Sequence, residues 1–187
     1  MAITVTKEDI YKELDLIQAC ITRMASNSFA MKGWHIGITS ALLVFFFSKE
    51  SVNLNMILLI IATVTLAFWY LDSYYLMVER KYRWKYAWVI KNRVNTDTPK
   101  KEYLFDLNPD KEEMWEVDVT SRGYKTAKKT RKAVKNKRKG LIVNLCLLGE
   151  IKNVMFSNTM EMQYFVVFLA SILYFLYNVI KSLCNCY

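Results

Sequence analysis

The chain has 187 residues, room for one compact domain or for a few membrane helices with a modest water-facing part, but not for both in full. Apolar residues make up 53% of it, yet the mean hydropathy is only +0.10, so long apolar stretches are balanced by strongly polar ones. The formal charge of +9 is uneven, with a dense group of bases from Arg122 to Lys139, and that asymmetry points toward phosphate of lipid or of nucleic acid.

Cys20, Cys146, Cys184 and Cys186 form no regular framework and read as thiols. Residues 1–31 mix acids, bases and apolar residues at helical spacing, so no cleaved secretory signal is expected there. In that stretch Ile10, Leu14, Ile17, Ile21, Met24, Ser28 and Met31 recur at alternating steps of four and three, the seam of a helix packing on another helix. Self-association fits this seam, and so does packing on the bilayer surface or against the chain itself.

Trp34 to Phe47 carries no charge, and a second apolar run extends from Met56 to Leu71. Together they predict a helical hairpin of two membrane spans. Each run is short of the ~20 residues that cross a ~30 Å hydrocarbon layer, but neighbouring residues extend them and Lys32 can snorkel from one end. Trp34, Trp69, Tyr70, Tyr74 and Tyr75 gather at one end of the hairpin, as an aromatic belt does. The connection holds one lysine, whereas Lys7, Lys12, Arg23 and Lys32 precede the hairpin and Arg80, Lys81, Arg83 and Lys85 follow it, which places the N-terminus in the cytoplasm. Beyond Leu71 the pattern continues as one long helix, with Pro99 as the first firm stop.

Residues 100–120 hold the turn signal Asn108-Pro109-Asp110 and Trp115. The following bases, Lys125, Lys128, Lys129, Arg131, Lys132, Lys135, Lys137, Arg138 and Lys139, read as a solvated segment for anionic lipid or nucleic acid. They lack the interleaved aromatics of a single-strand binder, so anionic lipid is the simpler partner. The apolar run from Gly140 to Gly149 is too short to cross a bilayer, and its form is left open. Asn158 with Glu161 signals the start of a last helix over Tyr164 to Ile180, a third membrane span or an in-plane helix. The expected organisation is a mainly α-helical homo-oligomer: a cytoplasmic amphipathic helix (1–31), a transmembrane hairpin (32–78), a basic cytoplasmic domain (79–162) and a C-terminal membrane helix (163–183).

Nothing in the sequence assembles an enzyme centre. His35 is the one histidine, at the edge of the first span, where an interfacial role is favoured. Cys184 and Cys186 form a lone C-x-C, and five scattered glycines build no phosphate loop, so neither cofactor nor metal is expected. Asp72 directly follows the second apolar run, and an acid at membrane depth is costly unless paired or wet. It fits the wall of a polar path, and it also fits a headgroup-level residue paired with Lys32. Ser40, Thr63 and Thr65 suit a pore wall or close helix contacts.

Four motifs in order, MKGWHIGITSALL from Met31, WYLDSYYLMVERKYRWKY from Trp69, LFDLNP from Leu104 and VMFSNTMEMQYF from Val154, resemble the RipA-like family of small bacterial inner-membrane proteins. The basic stretch around 118–150 is longer than in that pattern, and Asn158 stands where a base is expected. The resemblance implies a homo-oligomeric inner-membrane assembly, with rings of about eight subunits, and no enzymatic activity. Similar small multispan proteins act as effectors in antiphage systems, opened by a sensor protein, a nucleotide or an oligonucleotide. The expectation is thus a gated channel or membrane-disrupting effector, assembled through Ile10, Leu14, Ile17, Ile21 and Met24, with Asp72 at its inner mouth. A non-conducting scaffold supporting stress resistance or intracellular growth is the alternative, and a membrane-anchored nucleic-acid binder is a third.

Overall fold

The computed structural model describes residues 5–48, 53–116, 124–125, 127–129, 132, 140–156 and 161–184, without the side chains of 140–147, 161–163, 182 and 183. These residues form helices and turns and no strand. Helix α1 spans Lys7–Phe47, α2 spans Leu54–Val89 and runs on as a π-helical turn over Ile90–Val94, α3 spans Gly140–Met155 and α4 spans Glu161–Cys184. Among the described residues three helical segments are long and apolar enough to cross a membrane: Lys7–Phe47, Leu54–Val94 and Tyr164–Lys181. The open run after Gly140 is helical, as α3.

Local chemistry sets the helix ends. Thr6 Oγ1 accepts from the Asp9 amide at 3.2 Å while the Asp9 carboxylate accepts from the Thr6 amide at 3.0 Å, a reciprocal cap on the first turn of α1. Asn53 caps α2 by accepting from the Asn55 amide at 3.0 Å. The long helix expected beyond Leu71 is present, and it loosens before Pro99 into the π turn closed by the Asn95 amide on the Ile90 carbonyl at 2.9 Å.

The chain divides into two compact units, each built from separated stretches: residues 1–27 with 74–153, and residues 28–73 with 154–187. The four consecutive segments expected from the sequence are therefore regrouped. Helix periodicity marks faces, but it does not say which distant stretch covers them.

In the first unit Ile10, Leu14, Ile17 and Ile21 are buried in one core with Tyr82, Trp88, Val89 and Met114, and Met24 packs on its edge. This corrects the seam's expected use in assembly. A side chain already enclosed by its own chain has no surface left for a second copy. The segment after the π turn is pinned along α2: Tyr82 donates to the Leu107 carbonyl at 3.2 Å, and the Glu116 amide donates to the Trp84 carbonyl at 3.1 Å. Asp106 and Asn108 each accept from an amide two residues on, at 2.9 and 3.0 Å, making the expected turn from side-chain hydrogen bonds. Tyr103 and Phe105 sit in left-handed backbone, at φ 62° and 58°, a strain of roughly 1–3 kcal/mol each that the surrounding bonds must hold.

The second unit has the inverse polarity of a water-soluble fold. Its surface carries Phe45, Phe47, Leu59, Val166, Leu173 and Ile180, all exposed, whereas Ser28, His35, Thr65, Asp72 and Ser73 are buried within it. Hydrocarbon accepts such an exterior, and water does not. Trp34 is exposed as a belt residue should be, but Trp69 is not. It is buried against Phe156, Tyr164 and Phe165 and donates from Nε1 to the Met155 carbonyl at 3.2 Å.

Candidate functional site

The polar interior of the second unit comes from two helical spacings. Ser28, Lys32 and His35 fall on one face of α1 at steps of four and three, and Thr65 and Asp72 on one face of α2 seven apart, two turns of helix. Seven residues rise about 10 Å, so the polar groups form a ladder about a third as long as a ~30 Å hydrocarbon layer is thick.

At one end lies the charge pair. Lys32 Nζ stands 2.8 Å from Asp72 Oδ2 and donates to Ser28 Oγ at 2.9 Å, while the Ser28 hydroxyl donates to Asp72 Oδ1. The Asp72 side chain is fully enclosed and that of Lys32 is 29% exposed, so the ammonium is the member with an outlet. The other end is neutral. His35 Nε2 and Thr65 Oγ1 share a hydrogen bond of 3.0 Å, and the imidazole lies against Phe68 and, at 4.9 Å between ring centres, Tyr164 of α4. The Tyr164 hydroxyl lies beside the Asp72 carboxylate.

Of the membrane candidates named from the sequence, Lys32, Asp72 and Thr65 come together here. Ser40 and Thr63 do not: both are exposed on the outside of the unit, and the Thr63 hydroxyl is returned to the Leu59 carbonyl at 2.8 Å. His35 was expected at the interface and is instead buried in the bundle, because Thr65, Phe68 and Tyr164 close over it. Ser28 and Tyr164 were missed as site residues. The spacing of Ser28, Lys32 and His35 was the available signal, and it was obscured because Ser28 also continues the apolar seam.

The first unit has a second charged system, a row of α2 cations holding the segment that follows. Lys81 pairs with Asp110 at 2.9 Å and Glu150 at 2.8 Å, and Lys85 donates to the carbonyls of Asp106 and, at 3.0 Å, Asn108. Arg93 pairs with Glu13 and donates to the carbonyls of Lys100 and Glu102 at 2.9 and 2.6 Å. Burial alone would raise the Asp106 carboxyl, but the Asn108 amide and the nearby Lys111 and Lys85 ammoniums outweigh it and hold the group below the usual carboxylate range. Lys111, bonded to Asp106 at 2.9 Å, is correspondingly raised. Of the basic run, Lys125, Lys128, Lys129 and Lys132 are exposed, whereas Arg131, Lys135, Lys137, Arg138 and Lys139 lie outside the described residues, as does Asn158.

Compared with family models, with curated proteins and with solved structures, the chain has no match. Its functional reading therefore rests on its own geometry.

Proposed function

We propose that this chain is a membrane protein whose copies together form a gated channel or membrane-disrupting effector, with the Lys32–Asp72 pair as the closed gate. The observation that carries the reading is this ion pair, backed by Ser28, His35, Thr65 and Tyr164, inside a unit with an apolar exterior. Ionisable groups are expensive in a bilayer, and they mark ion or proton paths more often than they serve as packing.

Three helices are too few to ring a water-filled path, so conduction requires several copies side by side. The seam at Ile10 to Ile21 is enclosed, and self-association is assigned instead to the open face of α1 where Gly33 and Gly37 lie four apart, beside Phe29, Trp34 and Ile38. Small residues at that spacing let helices approach closely in lipid. The N-terminus is placed in the cytoplasm of a bacterial inner membrane, with the exposed lysines near 125–132 toward anionic headgroups. An antiphage role, with a sensor protein or nucleotide as trigger, is the one that similar small multispan effectors have.

The test is current across a planar bilayer holding the purified, assembled protein. Discrete currents altered by Asp72→Ala support the channel. Because Asp72 is satisfied within its own chain by Ser28 and Lys32, a silent bilayer would favour the non-conducting scaffold.

A further inference from the structure

Apart from Asn55 Oδ1 near the start of α2, three buried polar atoms of the second unit lack a well-aligned hydrogen-bond partner: His35 Nδ1, Asp72 Oδ2 and the Tyr164 hydroxyl. They belong to one cluster. Tyr164 touches both of the others, its ring against the His35 ring and its hydroxyl beside the Asp72 carboxylate. Asp72 Oδ2 has the Lys32 ammonium at 2.8 Å, but an unpaired polar atom in a dry interior costs about 1–3 kcal/mol, so His35 Nδ1 and the Tyr164 hydroxyl, gathered beside that carboxylate, are not a product of packing alone. Their chemistry is complementary: a basic ring nitrogen, an acidic oxygen and, on the ring that packs against the imidazole, a hydroxyl that both donates and accepts.

We propose that His35, Tyr164 and Asp72 form a proton-binding site of the membrane unit, open to water on the Lys32 side. A proton entering past Lys32 is taken up on Asp72 Oδ2. Asp72 then passes it to the Tyr164 oxygen as Tyr164 passes its own hydroxyl proton to His35 Nδ1. Tyr164 ends unchanged, Asp72 is again a carboxylate paired with Lys32, and the imidazole has gained one proton and one positive charge. Nδ1–H then donates to Tyr164 and Tyr164 donates to Asp72, so the two unpaired groups, His35 Nδ1 and the Tyr164 hydroxyl, are satisfied together. Among the described residues the titratable groups around the site are Lys32 from α1, Asp72 from α2 and Tyr164 from α4. Beyond Thr65 the α2 residues Ile57, Ile61 and Ala62 are apolar and buried, so the proposed loading is from the Lys32 side. The site stands whether or not assembled copies conduct.

Because His35 is the one histidine in the chain, its nitrogen resonances in the full-length protein in lipid nanodiscs are unambiguous. The Asp72 carboxyl carbon is identified by its loss in Asp72→Asn. We expect His35 to pass from neutral imidazole to imidazolium between about pH 5 and pH 8, with the Asp72 carbon moving at the same midpoint. Tyr164→Phe should separate the two midpoints. A His35 signal that stays neutral over that range, or one that titrates while Asp72 does not move, overturns the proposal, and both are read on the unsubstituted protein.

Discussion

Glu13 on α1 and Arg93 in the π turn form an ion pair in which neither side chain has any exposed surface. Each is satisfied further by backbone: Glu13 accepts from the Phe105 amide at 3.2 Å, and Arg93 donates to the Lys100 and Glu102 carbonyls. Removing one partner leaves the other charge buried alone, a loss of about 3–5 kcal/mol. Glu13→Leu and Arg93→Met should each lower the unfolding midpoint sharply in detergent, and the double variant should recover part of the loss. Independent, additive losses would show that the two are not coupled.

The Lys32–Asp72 pair should respond asymmetrically. Lys32→Met strands a fully enclosed carboxylate, whereas Asp72→Asn keeps a hydrogen bond to Ser28 and leaves a lysine that can reach water. The methionine variant is therefore expected to be the less stable by about 1 kcal/mol or more. Thermal unfolding in one detergent decides it, and equal losses would remove the argument from exposure.

Acid should loosen the segment held by Asp106. A carboxyl whose folded value is depressed contributes stability that is present above its unfolded value, near pH 4, and is lost as pH falls through the folded value. Asp106 is such a group. Tryptophan fluorescence, dominated nearby by the Trp84–Trp115 contact, should change below about pH 4, and Asp106→Asn should flatten that limb.

Ile17 is fully enclosed. Truncation to alanine should cost about 2–5 kcal/mol through lost burial and the cavity left behind, without changing assembled mass. A smaller oligomer at unchanged stability would return the seam to self-association.

Gly37 faces open space on α1, where an added side chain meets nothing in its own chain. Gly37→Ile should keep monomer stability within about 0.5 kcal/mol and reduce the assembled mass measured in detergent. Retained assembly would move the interface elsewhere.

The hairpin, the last helix and the length of α2 were legible because apolar runs and the absence of Pro and Gly are local signals. The Lys32–Asp72 pair was legible as one of two readings, from charge at the edge of two adjacent runs. The pairing of residues 1–27 with 74–153 was not, since a three-four seam looks the same whether its partner is a second copy or a helix sixty residues away. Glu13 and Arg93 were hidden for a related reason. An acid and a base eighty positions apart give no pattern until the fold brings them together, and each reads alone as a solvated helix residue. His35 was misplaced because proximity to Trp34 in sequence says nothing about the opposite side of the helix, where the imidazole lies.

The interleaving of the two units also sets an order of events during synthesis. Ile10 to Ile21 leave the ribosome well before Tyr82 to Met114, the residues that enclose them. At about 5–20 residues per second the nascent chain carries that bare apolar strip for several seconds, while the first membrane spans are already being inserted. A holdase or the bilayer surface must shelter the strip over this interval, so slowing translation between residues 30 and 80 should reduce yield more than an equal pause near the C-terminus.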